Sequence, residues 1–146
     1  MTIPNTITRT LELPHPQEKV WAAVATLDGL TSWFGSHADG DITPGHEVRM
    51  RWEQYGNAEQ ILAIQVVDPV SVFAYTWSIN GAPEGDPRRT YVEFSLEPTP
   101  AGTRLTVTES GFAQLPDEWL QSSYQGNTEG WRKELADLAG YLHAPA

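Results

Sequence analysis

The sequence predicts an α+β domain, and three observations carry that prediction. Short segments with two-residue alternation follow one another between residues 47 and 110, separated by turn residues. One strand-like segment and two short helical stretches precede them. Residues 117–143 then carry a single apolar stripe at helical spacing. Consecutive strands joined by turns pair antiparallel, and one amphipathic helix covers one face of the sheet they form.

Each element has its own reason. "TITRTLEL" (6–13) alternates Ile7, Arg9, Leu11 and Leu13 against threonines and Glu12, the pattern of a strand. Pro16 suits the first turn of a helix and Glu18 the positive end of its dipole, while Val20, Trp21, Val24 and Leu27 recur at helical spacing. Asp28-Gly29 interrupts, and "LTSWF" resumes as a second short helix or turn. In "EVRMRWEQ" (47–54), Val48, Met50 and Trp52 face one way. "EQILAIQVVDP" (59–69) is nearly continuously apolar, and "SVFAYTWSI" (71–79) puts Phe73, Tyr75, Trp77 and Ile79 on one face. "NGAPEGDPRR" (80–89) is turn chemistry throughout. "TYVEFSLEP" (90–98) points Val92, Phe94 and Leu96 inward, and "RLTVTES" (104–110) points Leu105 and Val107 in the same sense. In the final helix Tyr124, Thr128, Trp131, Leu135, Leu138 and Leu142 step by fours and threes. Gly126, Gly130 and Gly140 weaken that helix by roughly 1 kcal/mol each relative to alanine.

Composition narrows the function. The 146 residues suit one domain spanning 1–146, large enough to bury a core without staples. There are no cysteines, which removes disulfides, thiolate metal ligands and cysteine nucleophiles. Nineteen acidic against nine basic residues give a formal charge of −10, unsuited to nucleic acid or anionic membrane surfaces. The N-terminus lacks the charge and apolar core of a secretory signal, and no apolar run approaches the ~20 residues of a membrane span. A soluble, cytoplasmic protein without cofactor is expected. Six tryptophans are many for this length, and large rings gather in cores or in pockets that grip apolar ligands.

Five segments, in order, resemble the Bet v 1-like or START-like superfamily (SRPBCC domains). They are "EKVWAAVATLDGLTSWF" (18–34), "ITPGHEVRMRW" (42–52), "VVDPVSVFAYTW" (66–77), "VEFSLEPTPAGTRLTVTESGF" (92–112) and "GWRKELADLAGYL" (130–142). Within that superfamily the chain is similar to the bacterial Activator of Hsp90 ATPase homologue 1-like branch. The resemblance implies a helix-grip fold, a curved antiparallel sheet of about six strands wrapped around the long C-terminal helix with two short helices after the first strand. It also implies a cavity between sheet and helix. One departure is Gly45-His46, where the branch usually carries two glycines. The superfamily hosts carriers, receptors, cyclases and co-chaperone domains, so the fold does not assign the chemistry.

Candidate sites follow from the faces. Histidines and aspartates at His37, Asp39, Asp41 and His46 are metal-ligand types, but glycines 35 and 40 interrupt the stretch, so it reads as a solvated acidic loop with no metal. Trp33-Phe34 must pack on something, and are expected at the pocket rim as an aromatic lid. Glu109 continues the inward set Leu105-Val107 and is expected as a polar anchor inside an apolar pocket. Water at the strand end and Arg132 are its other possible partners. Trp52, Tyr75, Trp77, Phe94, Phe112 and Trp131 supply ring surface to the same pocket, with Glu109 a candidate partner for the Tyr75 hydroxyl. No Gly-x-Ser-x-Gly elbow or triad spacing is present.

The expected function is binding of a small, largely apolar molecule, aromatic ones included, by a monomer or homodimer. A cyclase- or hydrolase-type enzyme using Glu109 and Tyr75 as acid and base is the alternative, followed by a co-chaperone-like protein-interaction module. As a structural anchor, Glu109 is expected to tolerate Glu109→Gln.

Overall fold

A computed structural model describes residues 5–79, 85–115 and 117–143, with side chains of the last segment from residue 121 onward. The first half of the turn expected at 80–89 lies outside these residues. The element order is β1 (Thr6–Leu13), α1 (Gln17–Val24), α2 (Leu27–Trp33), β2 (His37–Gly40) and β3 (Glu47–Trp52). There follow β4 (Ala58–Asp68), β5 (Val72–Ser78), β6 (Arg89–Thr99), β7 (Gly102–Ser110) and α3 (Asp117–His143). Single turns of 3-10 helix stand at Glu53–Tyr55 and Phe112–Gln114.

The strands form one seven-stranded sheet in the order β1-β7-β6-β5-β4-β3-β2, every described pair antiparallel. All connections from β2 to β7 join neighbours, and the one long excursion places β1 beside β7. A bulge between Ile64 and Val66 bends the long β4, as an extra residue in one strand of a pair does. The alternating residues read as inward are the buried ones on β3, β6 and β7, for example Val48, Met50 and Trp52, or Val92, Phe94 and Leu96. On α3, Trp131, Leu135, Leu138 and Leu142 are buried along one stripe against them. Gly130 and Gly140 face open space, so no neighbouring group demands a glycine at either position.

One glycine is needed where α1 and α2 meet, and a second sits close against β3. The Thr26 hydroxyl caps α2 by accepting from the Gly29 N–H at 2.9 Å. A Cβ on Gly29 would stand 2.1 Å from the Ala22 carbonyl oxygen, so only glycine lets the two helices cross there. Beyond α2, a Cβ on Gly35 would lie 2.6 Å from the Met50 methyl.

The seventh strand was not expected. His37–Gly40 pairs with β3 in the register His37↔Arg51 to Gly40↔Val48 and forms the sheet's free edge. Its side chains are mostly exposed, so it carries none of the alternation that marks a half-buried strand.

Candidate functional site

Register explains the interior. Ile64 of β4 stands opposite Tyr75 of β5, Tyr75 opposite Val92 of β6, Val92 opposite Glu109 of β7, and Glu109 opposite Ile7 of β1. This row crosses five strands on the face covered by α3, with Glu109 the one charged residue in it. The neighbouring rung pairs Trp77 with Thr90. Thr90 therefore lies diagonally beside Glu109 on the adjacent strand, and Trp77, one strand further, extends its indole to the same carboxylate.

Glu109 has no exposed surface. Its Oε2 accepts from the Trp77 Nε1–H at 2.8 Å and the Thr90 hydroxyl at 2.5 Å, and its Oε1 from the Trp131 Nε1–H at 2.9 Å. The Asn127 amide donates to Oε1 at 2.9 Å and to Oε2 at 3.0 Å. Two indoles, an amide and a hydroxyl thus replace water around the carboxylate, and none of them carries charge. Neither strand-end water nor Arg132 is its partner, since Arg132 binds Glu129 on the helix surface. Hydrogen bonds to a charged acceptor are worth more than neutral ones, about 1.5–3 kcal/mol each, which offsets a burial that is otherwise prohibitive.

The rings close over this carboxylate. Phe34, Trp77 and Trp131 have centroids 5.8, 5.9 and 6.0 Å apart, with Phe34 within 6° of the Trp131 plane and 24° of the Trp77 plane. Trp52 meets Phe34 edge-on at 5.3 Å, and Phe94 meets Trp131 edge-on at 5.8 Å. Tyr75 meets Trp77 edge-on at 5.3 Å. The indole N–H groups of Trp33 and Trp52 are also satisfied: Trp33 donates to the Ala23 carbonyl and Trp52 to the Phe34 carbonyl, both at 2.7 Å.

The structure thus brings Trp33, Phe34, Trp52, Tyr75, Trp77, Phe94, Glu109 and Trp131 into one interior cluster. Three expectations change. Phe34 is 2% exposed and central to the ring triad, not a lid on a rim, because α2 directs it inward beneath β3. Phe112 belongs to the same buried cluster but lies at its edge, packed edge-on against Tyr124 at 5.3 Å and without ring contact to the triad among the described residues. The Tyr75 hydroxyl has no hydrogen-bond partner and does not bond Glu109. Val92 of β6 stands between them in the row, whereas the Trp77 indole reaches the carboxylate beside Thr90.

Burial pushes the Tyr75 phenol well above its usual range, with the nearby charges of Glu109 and Glu134 adding to the effect. It stays neutral, and Glu109 has its oxygens occupied by donors, so the two are not arranged as an acid–base pair.

Three polar side chains of this interior escaped the sequence reading: Thr90, Asn127 and Glu134. Thr90 continues the inward set 90, 92, 94 and 96 backwards by one step. Asn127 lies four residues before Trp131 and Glu134 three after it, polar groups on the apolar stripe. Glu134 is 7% exposed, and its Oε2 has no partner.

Burial raises the Glu134 carboxyl from its ordinary value of 4.5 to about 7, against an opposing pull from Lys133. The native state then holds a proton that the unfolded chain has released between those two values, so stability falls as pH rises from about 4.5 to about 7. Glu134→Gln is expected to remove this slope. It should unfold at higher urea than wild type at pH 8, by about 1–3 kcal/mol, and match it near pH 4. Parallel pH profiles for the two proteins would contradict the assignment.

The stretch first read as a metal-free loop lies outside the interior. The His37 imidazole meets Glu53 at 2.5 Å, and the Thr43 hydroxyl donates to Asp41 at 2.6 Å. A groove of about 510 Å³ there is lined by Ser36, His37, Asp39, Arg49, Arg51 and Glu59 among others, charges of both signs.

A curved seven-stranded antiparallel sheet covered by one long C-terminal helix defines the helix-grip class. The chain belongs to the Activator of Hsp90 ATPase homolog 1-like protein family, whose model matches residues 14–143. A crystal structure from Mesorhizobium loti superposes with a TM-score of 0.79 at 26% identity, over 94% of this chain and 96% of that one. DynU16, a putative protein in the dynemicin biosynthetic locus, gives a TM-score of 0.79 at 24% identity over 97% of this chain and 48% of its own. The Aha1 dimer from Colwellia psychrerythraea, solved in solution, gives 0.74 at 20% identity over 94% and 95%. A search of curated proteins returns no match. No helix among the described residues is long and apolar enough to cross a membrane.

Proposed function

We propose that the domain binds a small, flat, largely apolar molecule between the curved sheet and α3, admitted when Phe34 gives up its place against Trp77 and Trp131. The observation that carries this reading is the position of Phe34. Its ring fills the space a flat ligand would take, yet it comes from the end of a seven-residue helix, not from the sheet or α3. The rings it would uncover are already fixed from behind, because both indoles donate to Glu109. An incoming ring therefore meets two oriented aromatic faces, the preorganisation that lowers the cost of binding. Glu109 acts by holding those faces and offers a polar point of attachment.

The interaction-module alternative has less support. A filled interior favours it, but large exposed hydrophobics among the described residues are Tyr55 and Tyr141, on separate elements. Protein docking of the usual kind needs a contiguous apolar patch. Phosphate backbones and anionic membranes are poor partners for a chain of formal charge −10. A native mass spectrum of protein isolated from its own host tests the binding reading.

A further inference from the structure

Two polar atoms in this interior have no use in holding the fold. The Tyr75 hydroxyl and Glu134 Oε2 are both buried and both without a hydrogen-bond partner. Buried polar groups are satisfied in the great majority of cases, and each exception calls for an explanation. These two come from opposite layers, the sheet and α3, and are linked through two rings. Tyr75 packs edge-on against Trp77 at 5.3 Å, Trp77 stacks on Trp131 at 5.9 Å, and Glu134 stands one helical turn on from Trp131. Their surroundings have a definite sign. The buried charged residues among those described are Glu109 and Glu134; the buried and unpartnered Arg51 Nε belongs to a side chain that lines the edge groove instead. The rings that link them, Trp77 and Trp131, also stack with Phe34, and aromatic faces attract cations.

Resting on the binding reading above, we propose that the ligand is a flat aromatic amine whose ammonium group is received by the Tyr75 hydroxyl and the free Glu134 oxygen. The phenol accepts one N–H and the carboxylate another, so the two unpartnered atoms are satisfied by one group. The ring portion takes the place of Phe34. A neutral aromatic leaves both atoms unsatisfied, and an aromatic acid brings a further negative charge into an interior that already holds two carboxyl groups. The chain's formal charge of −10 favours approach of the cation in the same sense.

Tryptamine, indole and indole-3-propionate form a matched set of cation, neutral and anion on one ring. Each is titrated into the wild type, Glu134→Gln and Tyr75→Phe while the indole N–H signals of Trp77 and Trp131 are followed by NMR. Tryptamine is expected to bind wild type about tenfold more tightly than indole, with indole-3-propionate weakest. Glu134→Gln should erase the preference for tryptamine. Tyr75→Phe should reduce it without lowering the thermal midpoint, since that hydroxyl has no bond to lose in the free protein and its burial is uncompensated. Equal affinity for indole and tryptamine, or a preference that survives Glu134→Gln, overturns the amine assignment and leaves the binding reading standing. A water held between Tyr75 and Glu134 that tryptamine does not displace overturns it as well. Failure of all three probes to move either signal counts against the binding reading itself, and the amine assignment falls with it.

Discussion

Trp131→Ala is expected to lower the free energy of unfolding by about 4–5 kcal/mol, a third or more of the total for an ordinary domain. The ring is 3% exposed and stacks on Phe34 at 5.8 Å and on Trp77 at 5.9 Å, so its loss leaves a cavity that three strands and α3 cannot collapse around. Its N–H is also one of the donors holding Glu109, and removing it leaves a buried carboxylate oxygen with fewer partners. Trp131→Phe separates the two effects. It keeps most of the stacking and deletes the N–H, for an expected loss of about 1–3 kcal/mol. Urea denaturation with unchanged m-values would measure both. A loss below about 1 kcal/mol for Trp131→Ala, the range of surface changes, would contradict the packing described.

Glu109→Gln is expected to cost about 2–3 kcal/mol despite the near-identical shape. All four partners donate, so a glutamine must point its NH₂ at one end of the cluster. The Thr90 hydroxyl can turn and the Asn127 amide can flip to accept from it. The two indoles have no such freedom, because an indole nitrogen only donates. Whichever way the glutamine sits, the N–H of Trp77 or Trp131 faces a second donor. The sequence alone suggests a tolerant anchor at this position; the geometry reverses that expectation. Chemical denaturation at pH 7 checks it, and a change within about 0.5 kcal/mol would mean that the carboxylate is not held by these four groups.

What could be read in advance depended on whether a residue's role is set by its own strand or helix. Glu109 pointing inward followed from alternation with Leu105 and Val107, and Trp131 on the buried stripe followed from helical spacing. Both are properties of single elements. The partners of Glu109 depend on register between β5, β6 and β7, which no single segment encodes, so Tyr75 was paired with it wrongly across the intervening Val92. Phe34 was placed on a rim because the crossing of α1 and α2, set by the Gly29 contact, decides which way α2 ends. Edge strand β2 is built on backbone pairing alone and leaves no hydrophobic signature. Asn127 and Glu134 were legible in principle, since each interrupts an apolar stripe at a position that must face the sheet.

The most direct test of the binding reading is a native mass spectrum of the protein isolated from its own host without denaturation. The account predicts a species heavier than the bare 16.2 kDa chain by the mass of one small molecule. That species should revert to the bare chain on acid denaturation and release a compound with aromatic absorbance. A bare chain alone, recovered from several growth conditions under which known carrier complexes survive, would contradict it, and would mark the ring cluster as a core that never opens.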